Sequence, residues 1–295
     1  MTEHNNLNEK SHKKIFKPVP LLEGVEEIRQ DFEERIAQGD VVYGIEILDD
    51  CVETIRKGSI TFLIARANVG KSNVGQIIAL NLAKQGKKVL ICSCEMGAGL
   101  LMERQLKRMT GIGSKQLREL YEKSRDKANY ILDSVFDSRY NYLRNVDICE
   151  TGGATVDDII AMLDCFPEYH YIIIDYIQRI RGVGTEYEVI TNSARALQTY
   201  ARDTGKAMVI CSQANRGSET EAKKDTMAIR GKGSGSIEED ADVGLSLMEL
   251  YEGPNKYILA TLFKNRYGAM KNVTYKYSYD SRLNLVLQEK GYTGN

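Results

Sequence analysis

Residues 65–72 read ARANVGKS. The stretch matches the phosphate-binding pattern G-x-x-x-x-G-K-[ST] at every fixed position except the first, where Ala65 stands in place of glycine. It follows the apolar, β-rich run SITFLIA (59–65) and opens a stretch, Lys71 to Gln85, that reads as a helix. The pattern requires that context, because backbone N–H groups of the loop and of the helix N-terminus then point at a bound phosphate. The first position mainly needs a small residue, and alanine is the next smallest after glycine. Ala65, Arg66, Ala67, Asn68, Val69, Gly70, Lys71 and Ser72 therefore form the candidate nucleotide-binding loop. Lys71 would reach the β- and γ-phosphates of ATP, and Ser72 would hold Mg2+.

Working outward, strands and helices alternate. KKVLICS (87–93), VDICE (146–150), HYIIIDYI (170–177) and KAMVICSQ (206–213) read as strands. Helices are expected over 98–110, 114–134, 155–166 (capped by Thr155) and 187–203. This order implies an α/β fold with a mostly parallel, twisted sheet flanked by helices. From about 242 the pattern changes to DVGLSLMEL, YILATLFK and VTYKYSYD, with turns such as EGPN and NRYGAM between them. These read as antiparallel strands added at the C-terminal edge of the sheet. Ahead of the main domain (43–295), residues 1–23 read as a disordered tail, rich in polar residues over 1–14. Residues 24–42 read as an amphipathic helix and loop, with Val25, Ile28, Phe32 and Ile36 at helical spacing.

Three further positions carry chemistry. A phosphate loop needs a second Mg2+-directed acid at the end of a nearby apolar strand, and YIIIDYIQ (171–178) supplies Asp175. Hydrolysis needs a group to orient or deprotonate the attacking water, and Glu95 in CSCEMG sits where strand carboxyl ends gather around the ligand crevice. Its alternative is a surface acid ahead of a helix. Gln213, at the end of CSQ, is placed to touch the γ-phosphate and report its loss to the loop at about 214–236. That loop is rich in Lys, Arg, Gly and Ser. It suits either a nucleic-acid backbone or simple solvation.

The chain has 295 residues, 42% hydrophobic and 27% charged, with a formal net charge of −1. This composition suits a globular protein, and any basic surface must be local. The six cysteines show no paired C-x-x-C spacing and read as reduced, small apolar residues. No apolar run reaches 18 residues, so no membrane partner is expected and the expected location is cytoplasmic.

With these residues in place, the chain resembles the RecA-like motor domain of DnaB-type replicative helicases, a hexameric family that includes phage members. The likeness covers about 43–290 and rests on six ordered blocks: ARANVGKS, CSCEMGAGLLMERQL, IIIDYIQ, SQANRG, GSGSIEEDADVGLSL and FKNRYG. The family often has alanine at the first loop position. The resemblance implies a P-loop NTPase fold and ATP-driven movement of a ring, a homo-hexamer by family likeness, on single-stranded DNA. It also implies ATP and Mg2+ as cofactors and a loader or primase as partner. By position it implies that Glu95 is the catalytic Glu, Asp175 the Mg2+-linked Asp and Gln213 the coupling Gln. Lys264 and Arg266 would be the pair that reaches a neighbouring subunit's γ-phosphate, Arg266 as arginine finger. Lys232, Gly233, Ser234 and Gly235 fall on the family's DNA-contacting stretch, with Lys232 replacing an Arg and Gly233 a Glu. The helix at 24–38 matches the family's linker helix. The helical N-terminal domain that members usually carry has no counterpart in the roughly 40 residues before the motor. The other reading is a RecA-like, ATP-gated DNA-binding protein of recombination or helicase regulation that does not unwind processively.

Overall fold

The computed structural model describes residues 20–134, 137–214, 240–270, 272–280 and 285–287. The chain divides into two compact units, residues 1–40 and 41–295. In the first, a short 3-10 turn, Leu21–Glu23, leads directly into helix α1, Gly24–Gln38. The end of the expected tail is thus helical, since the turn's carbonyls accept from the backbone N–H of Gly24. The predicted stripe of Val25, Ile28, Phe32 and Ile36 is exposed.

In the second unit, helix α2 (Glu46–Cys51) precedes β1 (Ile60–Ala65), α3 (Lys71–Lys84), β2 (Val89–Ser93) and α4 (Ala98–Thr110). Then come α5 (Ser114–Lys123), α6 (Arg125–Asp133), β3 (Val146–Glu150), α7 (Val156–Cys165), β4 (Tyr171–Asp175), α8 (Glu186–Thr204) and β5 (Ala207–Gln213). Strands β6 (Val243–Glu252), β7 (Asn255–Asn265), β8 (Val273–Asp280) and β9 (Leu285–Leu287) follow. Among the described residues these strands form one sheet in the order β3-β2-β4-β5-β1-β6-β7-β8-β9.

The sheet is buried on both faces at its centre, which is why β1 and β2 are buried at every residue and largely apolar rather than alternating. Leu63 and Ala65 point to one layer, with Val74 and Ile78 of α3. Ile60, Phe62 and Ile64 point to the other, with Ile159 of α7 and Leu197 of α8. Helix α8 has a capping box between Thr185 and Glu188 and ends at Gly205, whose φ of +71° suits glycine. Thr155 caps α7 as expected, its hydroxyl accepting from the Asp158 N–H.

Three local expectations are corrected. The single helix over 114–134 is two, broken where Ser124 adopts φ −160° and ψ 97°. The strand over 170–177 stops at Asp175, and Ile177–Arg179 forms a 3-10 turn. The C-terminal extension is not antiparallel from its start: β6 pairs in parallel with β1, and reversal begins at β7. All six cysteines are free, and Cys51, Cys92, Cys94 and Cys211 are buried.

Parallel registry puts the carboxyl ends of four strands at one edge. Ala65 pairs with Gln213 across β1 and β5, and Ser93 with Asp175 across β2 and β4. Helix α3 lies close over this region because Gly75 has no side chain. A Cβ there would meet Cys211 Sγ at 3.3 Å and Ile173 Cγ2 at 3.4 Å. We expect Gly75→Val to lower stability in urea unfolding by about 1–3 kcal/mol through overpacking. Gly75→Ala should cost far less, because a gain of about 1 kcal/mol in helix propensity opposes the contact.

Candidate functional site

The loop between β1 and α3 owes its shape to two left-handed residues, Asn68 (φ +66°) and Gly70 (φ +119°). Alternating backbone handedness turns successive N–H groups toward one concavity, as anion-binding loops require. At Gly70 conformation rather than space demands glycine, since an added Cβ would meet only Asn73, at 3.9 Å. Ala65 is fully buried as the last residue of β1, so the small first position also serves the core.

Ser72 Oγ donates to Asp175 Oδ1 at 2.9 Å, joining the first turn of α3 to the end of β4. Asp175 is only 5% exposed. Burial raises its pKa, opposed by the Ser72 hydroxyl, the Lys71 charge and the Cys211 thiol. The Lys71 ammonium lies 4.3 Å from the centre of the Tyr176 ring. A hydroxyl and a carboxylate are hard oxygen donors. Mg2+ is commonly held by one or two such groups together with substrate phosphates. Among the described residues no cluster of three or more His, Cys, Asp or Glu offers an all-protein cage. Ser72 and Asp175 therefore fit a Mg2+ that arrives with a phosphate ligand.

Glu95 stands on the turn between β2 and α4. The Cys94 N–H donates to the Asp175 carbonyl at 2.9 Å, Met96 N–H to Ser93 Oγ at 3.2 Å, and Ala98 N–H to Glu150 Oε1 at 2.8 Å. Its own carboxylate accepts from Arg179 at 2.9 Å, in a half-exposed ion pair. Glu95, Gly70, Lys71 and Ser72 line a cleft of about 660 Å³.

Sequence reading assigned no role to the other wall. Arg104, Lys107 and Arg108 of α4 and Tyr279 of β8 line the same cleft. The three cations sit at i, i+3 and i+4, a spacing that a helical projection of MERQLKR would have placed on one face. Arg108 also donates to the Asn73 carbonyl at 3.2 Å and to Gln76 Oε1 at 3.4 Å, tying α4 to α3. Burial, with the nearby Arg104 charge, lowers its pKa to about 10, so it stays charged at neutral pH.

Gln213 ends β5 beside Ala65. Lys264 and Arg266 lie elsewhere, at the end of β7 and just beyond it, and neither lines the cleft of its own chain. The Arg266 guanidinium is paired with Asp242, whose Oδ2 accepts from the Ile60 N–H at 2.9 Å. Lys232, Gly233, Ser234 and Gly235 lie outside the described residues.

Residues 41–283 match the DnaB-like helicase C-terminal domain family. The chain belongs to that family. It is 30% identical over 235 residues to a probable plasmid replicative DNA helicase of Chlamydia trachomatis, covering 77% of this chain and 50% of that protein. It is also 30% identical over 259 residues to the replicative DNA helicase DnaC of Bacillus subtilis, covering 82% and 56%. This DnaB-like chain thus spans about half the length of the relatives it matches. Among solved structures, the fold matches an isolated ATPase domain with a TM-score of 0.75 at 18% identity, covering 93% of this chain and all of that one. A DnaB-like replicative helicase, described with its interactions with primase, gives a TM-score of 0.73 at 18% identity, covering 93% of this chain and 68% of that one.

A buried Asp with a raised pKa costs stability while it is ionised. That cost is full above the folded-state pKa and vanishes below the ordinary Asp value. We expect Asp175→Asn to raise the melting temperature of the nucleotide-free protein, by roughly 2–4 °C per kcal/mol relieved. The gap from wild type should narrow as the pH is lowered, read in melts from pH 7.5 down to 4.5.

Proposed function

We propose that this chain is an ATP-dependent, ring-forming helicase motor that translocates on single-stranded DNA in phage or plasmid replication. One observation carries the reading: the cleft gathers Lys71, Ser72 and Glu95 beside Asp175, while Arg266 is held outside it in the same chain. In this reading Arg266 serves the site of the next subunit, which would couple hydrolysis to assembly.

In this reading Ala65–Ser72 cradle the phosphates of ATP, and Ser72 and Asp175 hold Mg2+. Glu95 takes the proton of the attacking water once the nucleotide's phosphates draw the Arg179 guanidinium away from it. Gln213 contacts the γ-phosphate. Lys264 and Arg266 enter the neighbouring subunit's cleft, where an arginine finger contributes about 10³-fold or more in rate. The segment containing Lys232, Gly233, Ser234 and Gly235 follows the strand through phosphate contacts, which need no base reading. Residues 24–42 act as the linker to an adjacent subunit and 43–295 as the motor, with residues before 24 as a tail. The assembly is a homo-hexamer working in the cytoplasm, with a loader or primase as further partner.

The test is steady-state ATP hydrolysis with and without single-stranded DNA, followed by strand displacement. Wild type should be stimulated by DNA. Lys71→Ala should be inactive, and Arg266→Ala should lose about 10³-fold in turnover while still binding nucleotide. Turnover indifferent to DNA, without strand displacement, would favour an ATP-gated DNA-binding protein instead. Full hydrolysis by Arg266→Ala would refute the shared site.

A further inference from the structure

Gln178 has an unusual set of partners. Strand β4 pairs with β5 only as far as Ile174 opposite Ile210, yet β5 runs on to Gln213. Beyond that point β5 keeps its neighbour β1 on one side, and the Ala214 N–H donates to the Ala65 carbonyl at 2.9 Å. On the other side, among the described residues, the backbone of Gln213 faces no strand. Buried or half-buried backbone groups need partners.

The Gln178 carboxamide supplies them. Its Oε1 accepts from the Gln213 N–H at 3.0 Å, and its Nε2 donates to the Gln213 carbonyl at 3.2 Å and to Ser212 Oγ at 2.9 Å. A primary carboxamide carries the donor and acceptor of a peptide group in one plane. Gln178 thus replaces the missing rung of β4. It does so from the 3-10 turn Ile177–Arg179, which follows Asp175 after one intervening residue.

We propose that Gln178 is a positioning residue that fixes Gln213 to the Asp175 turn, so that the metal-binding and γ-phosphate-sensing ends of two strands move as one. The inference rests on the proposed contact of Gln213 with the γ-phosphate. Gln178 does not line the cleft of Lys71 and Ser72; it acts through the backbone of Gln213. Neither glutamate nor alanine reproduces it. A glutamate accepts from the Gln213 N–H but donates nothing, and its charge faces the Gln213 carbonyl. Alanine makes none of the three bonds.

The experiment compares the wild-type chain with Gln178→Ala, Gln178→Glu, Gln213→Ala and the Gln178→Ala/Gln213→Ala double variant. It measures DNA-stimulated ATP turnover and the dissociation constant of ATP. We expect Gln178→Ala to lower kcat about tenfold, with ATP affinity within about twofold of wild type. Gln178→Glu should not restore turnover. The double variant should be no slower than Gln213→Ala alone, because the two residues act in series. Three results would overturn the inference: unchanged turnover in Gln178→Ala beside an impaired Gln213→Ala, losses that multiply in the double variant, or ATP affinity falling as far as kcat. If Gln213→Ala itself keeps full turnover, the sensing role of Gln213 fails, and the inference with it.

Discussion

The hydrogen bond from Ser72 to Asp175 is the contact on which the edge of this sheet is organised. It joins a helix that begins in a left-handed glycine loop to a strand that ends in a buried carboxylate. Both partners are fixed from behind. Gly75 lets α3 lie close over β4 and β5, and the Asp175 carbonyl accepts the N–H of Cys94, one residue before Glu95. The elements that bear Lys71, Ser72, Glu95 and Asp175 are therefore linked by short contacts. Keeping a carboxylate at 5% exposure has an energetic cost, visible in its raised pKa. Such a group is stable where a cation offsets it, and Lys71 does so only in part. A divalent ion brought by a phosphate would complete the compensation.

The opposite edge, at the amino ends of β1 and β6, holds the arginine proposed to act on a neighbour. The pairing of Arg266 with Asp242 sits on the β1–β6 side of the sheet, where Asp242 also accepts the Ile60 N–H and has Arg202 at 3.6 Å. In the proposed ring, two arrangements of Arg266 compete, one on Asp242 and one on a neighbour's nucleotide. In the proposed mechanism Glu95 would likewise exchange its pairing with Arg179 for the attacking water. The Glu95–Arg179 pair is half-exposed, so exchange there costs little, whereas Asp242 is buried and has Arg202 at 3.6 Å to offset its charge when Arg266 leaves.

Much of this was legible in the sequence because the signals were local. The loop 65–72 declared itself through Gly70, Lys71 and Ser72 after an apolar strand, and Asp175 and Gln213 through their places at strand ends. Where the reading failed, the deciding force lay outside the segment. Nothing in DVGLSLMEL says which strand it will lie beside, and β6 lies between β1, which it pairs in parallel, and β7, which it pairs antiparallel. The break at Ser124 interrupts a stretch whose charged faces gave no turn signal. Arg104, Lys107 and Arg108 went unread because only the packing of α4 on α3 brings them to the cleft. Gln178 had no motif of its own, and its role follows from strand lengths that differ by a few residues.

The most direct test is to titrate a fluorescent ATP analogue into wild type and Ser72→Ala, with Mg2+ and again with a chelator. If Ser72 and Asp175 form the metal position of the cleft, Mg2+ tightens binding to wild type, and the variant loses that gain while binding metal-free nucleotide as before. If Mg2+ tightens both proteins equally, the pair holds no metal, and the organising contact of the site has been misread.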